Sequence, residues 1–279
     1  MPNILSNIAG CDQLQGHAER ALAGQQDVLR RAAASGNQGL SVQYAEMNVA
    51  IGLLDLNRYI DAWGWIERCA AALAGSAPAY LPMAGTLQAR WYLELGQHGR
   101  TAGAFAAHPL PADAPPFVRA YRALVQAQVA SAAGQPKAVR VALGEAVRAA
   151  RASGRPNLQW ETQLMALGLG CPEGVSPLDE IASAALALAL GMTAHAAVAQ
   201  ALLHNAEGAA ALLDESSGVC PRWFYRGRVL AAVACGEPAR RWLLQTAERQ
   251  VPGEFRESFL HRQAVNLVLQ RVSPPPIGR

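Results

Sequence analysis

Lysine is nearly missing from this chain. Of its 24 Lys and Arg residues only Lys137 is a lysine, set between Pro136 and Ala138. No G-x-x-x-x-G-K-[ST] loop can therefore be written, and a phosphate-cradling loop of that kind is excluded. Aromatics make up only 6%, and the runs of Val, Ile, Thr and Tyr that signal strands are hard to find. The five cysteines, Cys11, Cys69, Cys171, Cys220 and Cys235, are odd in number and irregularly spaced, with no C-x-x-C. That pattern gives neither a disulfide framework nor a zinc site and fits a reduced, cytoplasmic protein. No G-x-G-x-x-G following a strand, no H-E-x-x-H and no G-x-S-x-G elbow is found. The start, MPNILSNIAGCDQL, lacks the basic residues and apolar core of a signal peptide.

What is abundant is alanine. Apolar residues make up 51% of the 279, and much of that share is the best helix former of all. The composition reads as all-α. A compact chain of this length buries roughly three quarters of its unfolded surface. The net charge of +3 is too small and too spread out for a nucleic-acid surface, and the arginines are read as the codon bias of a GC-rich genome. The most membrane-like stretch, residues 181–203, is mostly alanine and contains Gly191, His195 and Gln200. It is read as two buried helices meeting near Gly191, not as a membrane span. His195 and His204 fall on different faces of a shared helix, so no metal pair is expected. No cofactor is expected either.

Four stretches repeat one pattern. They are residues 48–73, 88–108, 121–150 and 225–250. Each is an apolar-periodic helix, a short turn at Asn57, Gly96, Gly134 or Gly236, then a second amphipathic helix. Glycine and asparagine tolerate the left-handed conformation that ends a helix. Pro136 and Pro238 suit the start of the helix that follows. So short a link makes the two helices antiparallel, and neither buries its apolar face unless neighbouring pairs stack.

The segments LLDLNRYIDA and YLELGQHGRTA resemble the middle of tetratricopeptide repeats, with Tyr59 and His98 in the bulky place before the helix crossing. The spacing is nearer 38 than the usual 34 residues, and Thr101 stands where alanine is common. Repeats of this longer kind resemble those of large bacterial signal-responsive transcriptional regulators, of the maltose-regulator-like ATPase or activator-domain type. The ending PARRWLLQTAERQVPGEFRESFLHRQAVN resembles the way such regions close. The resemblance implies a right-handed superhelix of stacked pairs over residues 1–272, with a closing helix near 253–271 and a flexible Pro-rich tail at 273–279. The ATPase and DNA-binding parts of such regulators have no counterpart in this sequence. The helical pattern begins almost at once, which reads as a truncated array.

The periodicity predicts helices near 12–34, 39–56, 59–74, 80–95, 98–107, 116–133, 136–152, 157–169, 177–190, 193–205, 207–214, 221–235, 238–250 and 253–271. On the last of these, Phe255, Phe259, Leu260, Ala264, Leu267 and Val268 form one stripe. Glu254, Glu257 and His261 fall mostly off it. General acid/base work needs a pocket and a perturbed pKa, not adjacency alone. The cluster is therefore read as the polar face of an end cap, and the chain as no enzyme.

In a superhelix of this kind the first helix of each pair lines the concave face. Counting back from the turns gives Tyr44, Asn48, Arg90, Tyr121, Gln128, Trp223 and Arg226 as contact candidates. Their mixture of aromatic, amide and cationic groups suits a protein or peptide partner, or a small effector of mixed polarity. The expected function is a non-catalytic binding module in bacterial signalling or transcriptional regulation. The alternative is a stand-alone adaptor or scaffold whose apolar flank makes a homodimer.

Overall fold

The computed structural model describes residues 2–36, 39–169, 193, 196–197, 200, 206–212 and 237–271. Among them every regular element is helical and no strand occurs. The helices are α1 (Pro2–Gln15), α2 (Ala18–Ser35), α3 (Leu40–Asp55), α4 (Tyr59–Ser76), α5 (Pro82–Glu94), α6 (His98–Ala107), α7 (Pro116–Ala132), α8 (Pro136–Ser153) and α9 (Pro156–Gly168). After these come α10 (Ala206–Leu212), α11 (Glu237–Gln250), α12 (Arg256–His261) and α13 (Ala264–Arg271). The chain is all-helical in these regions, as the alanine content and the missing strand signals predict. No described helix is long and apolar enough to cross a membrane.

Three turns are built alike. Asn57, Gly96 and Gly134 have φ of 58°, 72° and 66°, the left-handed region that closes a helix. At each, the next amide reaches back five residues. Arg58 N–H donates to Leu53 O at 2.8 Å, Gln97 to Tyr92 O at 2.8 Å and Gln135 to Ala130 O at 2.9 Å. This double-bonded ending satisfies carbonyls that the helix leaves free and folds the chain straight back. Proline opens α5, α7 and α8, where its missing N–H costs no helical bond. The fourth predicted turn, at Gly236, lies outside the described residues, as does the tail at 273–279.

The resulting hairpins are α1/α2, α3/α4, α5/α6 and α7/α8, and each packs along its length. The first helices also touch in succession: α1 on α3, α3 on α5, α5 on α7 and α7 on α9. One core runs through the stack, with Leu54, Ile66, Met83, Leu95, Leu124 and Leu158 among its fully buried members.

Two expectations need correction. The helix expected over 12–34 is two helices. Gly16 takes φ of 90°, and His17 N–H reaches back to Asp12 O at 2.8 Å, so α1 and α2 form a further hairpin. The closing helix expected over 253–271 is also broken. A single 3-10 turn (Gly253–Phe255) leads into α12, and the chain breaks again at Arg262 and Gln263 before α13. Gln263 Oε1 accepts from Asn266 N–H at 3.0 Å, and Asn266 Nδ2 donates to Phe259 O at 2.9 Å. These amides replace the helical bonds that the break removes. The break also shifts the buried stripe. Phe255, Phe259 and Leu269 are buried, while Val268 and Ala264 face solvent.

The closing segment also sits where a linear stack would not put it. Ser258 Oγ donates to Leu95 O at 2.7 Å, and Gln97 Nε2 donates to Ser258 Oγ at 2.6 Å. Phe255 meets Trp91 edge to face at 5.3 Å, and Phe259 meets Tyr59 at 5.8 Å. Residues 255–259 thus cover the α5–α6 turn and the start of α4. In a simple repeat array each unit contacts only its neighbours; here the end of the chain returns to its first half.

Candidate binding groove

The second half of α5 carries a charge problem. Arg90 on α5 is only 3% exposed, and a buried cation needs partners. It has two. Arg90 donates to Asp55 Oδ1 at 2.7 Å and to Glu94 Oε1 at 2.6 Å. Burial alone would push its pKa down, but the carboxylates of Glu94 and Asp55 outweigh that and hold it raised. Tyr59 Oη donates to Glu94 Oε2 at 2.9 Å, and Gln13 Nε2 donates to Asp55 Oδ2. Arg90 is therefore a tie between α3 and α5, and its placement as a ligand contact is corrected. Helix α5 is buried on nearly every side, because the closing segment covers the flank that stacking leaves bare.

The other candidates divide. Trp223 and Arg226 lie outside the described residues. Gln128 is half-buried and points across to α9, with its amide nitrogen 3.5 Å from Met165 Sδ. Tyr44, Asn48 and Tyr121 come together. All three line one cavity of ≈ 890 Å³ between α1, α3, α7 and the α8–α9 link. That volume lies in the range of ligand pockets. The groove is partly open to solvent. Its lining includes the apolar Leu14, Met47, Ile51 and Phe117 and the polar Ser6, Gln25 and Asn48.

The aromatic side of the groove is braced. Tyr44 packs edge to face on Tyr80 at 5.4 Å, and Tyr80 lies 5.7 Å from Phe117. The Arg155 guanidinium sits 4.2 Å from the Phe117 ring centroid, within cation–π range. Burial, then the hydrogen bond and nearby charge of Tyr80, raise the Tyr44 pKa, against a lowering by Arg155. Tyr44 thus keeps its proton, with its side chain hydrogen-bonded to Tyr80.

Several residues of this groove escape a reading of repeats. Arg155 lies in the link SGRPN, which reads only as a break, although loops on a rigid scaffold are where contacts gather. Ser6 and Asn7 come from α1, before the first predicted helix, and Gln13 from the same helix, within the predicted span. The sole signal for them is Gly16, a glycine between two apolar-periodic runs.

Glu254, Glu257 and His261 are exposed, and no ion pair joins Glu257 to His261. His195 and His204 lie outside the described residues. Among the described residues no group of three or more His, Cys, Asp and Glu could hold a metal ion. Compared with known proteins, the chain matches no family model, no curated protein and no solved structure.

Proposed function

We propose that this chain is a non-catalytic binding module. Its stacked hairpins form a tetratricopeptide-like right-handed superhelix, and its ligand sits in the groove between α1, α3 and α7. One observation carries the reading: Tyr44, Asn48 and Tyr121, singled out by their register before the turns, line one cavity of ≈ 890 Å³. The successive contacts of α1, α3, α5, α7 and α9 support the stacking. The module works in the cytoplasm, in bacterial signalling or transcriptional regulation, and recognises a protein, a peptide or a small effector without contacting nucleic acid.

The test is affinity capture from native lysate with the parent chain beside Tyr44→Ala/Tyr121→Ala, analysing both protein and low-mass eluates. A species held by the parent and lost by the variant supports the reading. Identical eluates from both, with both chains folded, would contradict the groove as the site.

An adaptor or scaffold reading draws on α1. Ile4 is 63% and Ile8 56% exposed, one helical turn apart on one face. An exposed apolar pair of this kind suits a homodimer contact. Light scattering at high concentration tests it. A dimer dispersed by Ile8→Glu supports it, and a monomer throughout contradicts it.

A further inference from the structure

The groove has a one-sided charge. Among the described residues that line it, Arg155 is the only one that carries a full charge, and none is acidic. Among the described residues Arg155 forms no ion pair. Other arginines whose charge is matched show what this means. Arg90 has two carboxylates, and Arg58 and Arg68 each have one, at 2.7 and 2.9 Å. Arg122, buried, spends its guanidinium on the carbonyls of His108 and Phe105 at the end of α6, at 2.6 and 3.0 Å.

Arg155 is also held. Its guanidinium rests over Phe117, and Phe117 is braced in turn by Tyr80 and Tyr44. Stacking on an aromatic face occupies the plane of the guanidinium and leaves its edge N–H groups to donate. A guanidinium kept in place by stacking loses less entropy when it binds a carboxylate in its fork. The same groove is lined by apolar Leu14, Met47 and Ile51, and by the neutral amides and hydroxyls of Asn48, Ser41 and Asn157.

We propose that the groove takes a small amphipathic carboxylate. Its head pairs with Arg155, its amide or hydroxyl groups meet Asn48 and Asn157, and its apolar body lies along Met47 and Ile51. The inference rests on the groove being the binding site proposed above, and it adds the ligand's class. A single positive charge among uncharged donors matches one carboxylate, and an ammonium ligand would find no acidic partner. The size of the cavity fits a small molecule. Because Arg155 is exposed, solvent weakens the pairing, and the expected discrimination is about three- to fivefold in affinity.

The test is isothermal titration of the full chain with N-octanoylglycine and with its uncharged twin, N-octanoylglycinamide. The parent should bind the acid about three- to fivefold more tightly than the amide. Arg155→Gln, a change at an exposed position, should bring the acid down to the level of the amide. Ile51→Trp fills the groove and should abolish binding of both; Asn48→Phe repeats that test should Ile51→Trp fail to fold. Equal affinity for acid and amide, with both blocked by Ile51→Trp, would overturn the carboxylate and leave the groove. A preference for the acid that survives Arg155→Gln would also overturn it. Binding of both that survives Ile51→Trp and Asn48→Phe would overturn the groove itself, and binding of neither by the parent would overturn the ligand class.

Discussion

Arg90 is the residue on which the first half of the stack turns. A buried guanidinium held by two carboxylates is a costly arrangement to break from one side. Replacing Arg90 by methionine leaves Asp55 and Glu94 in the core without their counter-ion. Arg90→Met should lose about 3–5 kcal/mol of unfolding free energy, read from the urea midpoint. Replacing all three, as Arg90→Met/Asp55→Leu/Glu94→Leu, should recover most of that loss, since matched apolar groups can substitute for a buried ionic cluster. A triple variant no more stable than the single one would show that the network does more than satisfy itself.

Two histidines report on pH. Burial lowers the pKa of His98, and burial with the nearby charge of Arg122 lowers that of His108, from the ordinary value of 6.5. A histidine whose folded pKa is depressed favours the neutral form in the folded state. Above 6.5 neither state binds the proton and stability is unaffected. As pH falls through 6.5 the unfolded chain takes up protons that the folded chain resists, so stability declines toward the folded pKa. The urea midpoint should fall between pH 7 and pH 5, and His98→Gln/His108→Gln should flatten that fall. An unchanged slope in the double variant would remove these histidines from the account.

At this scale the sequence was half informative. Tyr44 and Tyr121 each stand thirteen residues before their turns and Asn48 nine; such offsets are local to one helix, and the three residues line one cavity. Arg90 occupies in α5 the same register that Ile51 occupies in α3, yet Ile51 lines the groove and Arg90 is buried. The difference comes from Asp55, one pair earlier, and from a closing segment more than 160 residues away in sequence. No periodicity within one helix carries that information.

Among the elements, the α5–α6 turn does two jobs. Gly96 has a left-handed φ of 72°, and an added Cβ would stand 2.4 Å from the Ser258 carbonyl oxygen. Gly134 has nearly the same φ, 66°, with nothing within 4 Å of an added Cβ. The pair separates backbone strain from packing. Gly134→Ala should cost about 1–2 kcal/mol, the ordinary penalty of a left-handed alanine. Gly96→Ala should cost clearly more, because backbone must move away from backbone and α12 must lift. Equal losses in the two urea curves would mean that α12 does not hold the turn.

The elements also show where patterns mislead. Asn57, Gly96 and Gly134 were readable as turns because a left-handed helix ending is a requirement of one residue and its two neighbours. The break between α12 and α13 was not. Its apolar spacing suits a continuous helix, and the competing solution uses Gln263, Asn266 and Gln270 to bond the freed backbone. Side-chain amides that can satisfy a helix end leave no mark in hydrophobic periodicity.

For the molecule as a whole, the return of the chain's end to α4–α6 is the feature that repeat reasoning alone would not supply. Phe259 is 2% exposed and belongs to the same core as Leu54, Tyr59 and Leu95. Removing so large a buried ring typically costs about 3–5 kcal/mol. Phe259→Ala should lose stability in that range, and amide exchange should quicken at residues 92–97 as well as around the substitution. Faster exchange confined to residues 255–269 would mean that the closing segment rests on the stack without supporting it.

The central claim, that the groove between α1, α3 and α7 is where this molecule meets its ligand, has a direct probe in its methionines. Met47 lines the groove, while Met83 and Met165 are each 1% exposed in the core. In methyl-13C-methionine spectra, titration with N-octanoylglycine should shift the Met47 resonance saturably and leave Met83 and Met165 in place. A Met47 resonance that stays still while the ligand binds, or shifts of all three together, would contradict the groove as the binding site.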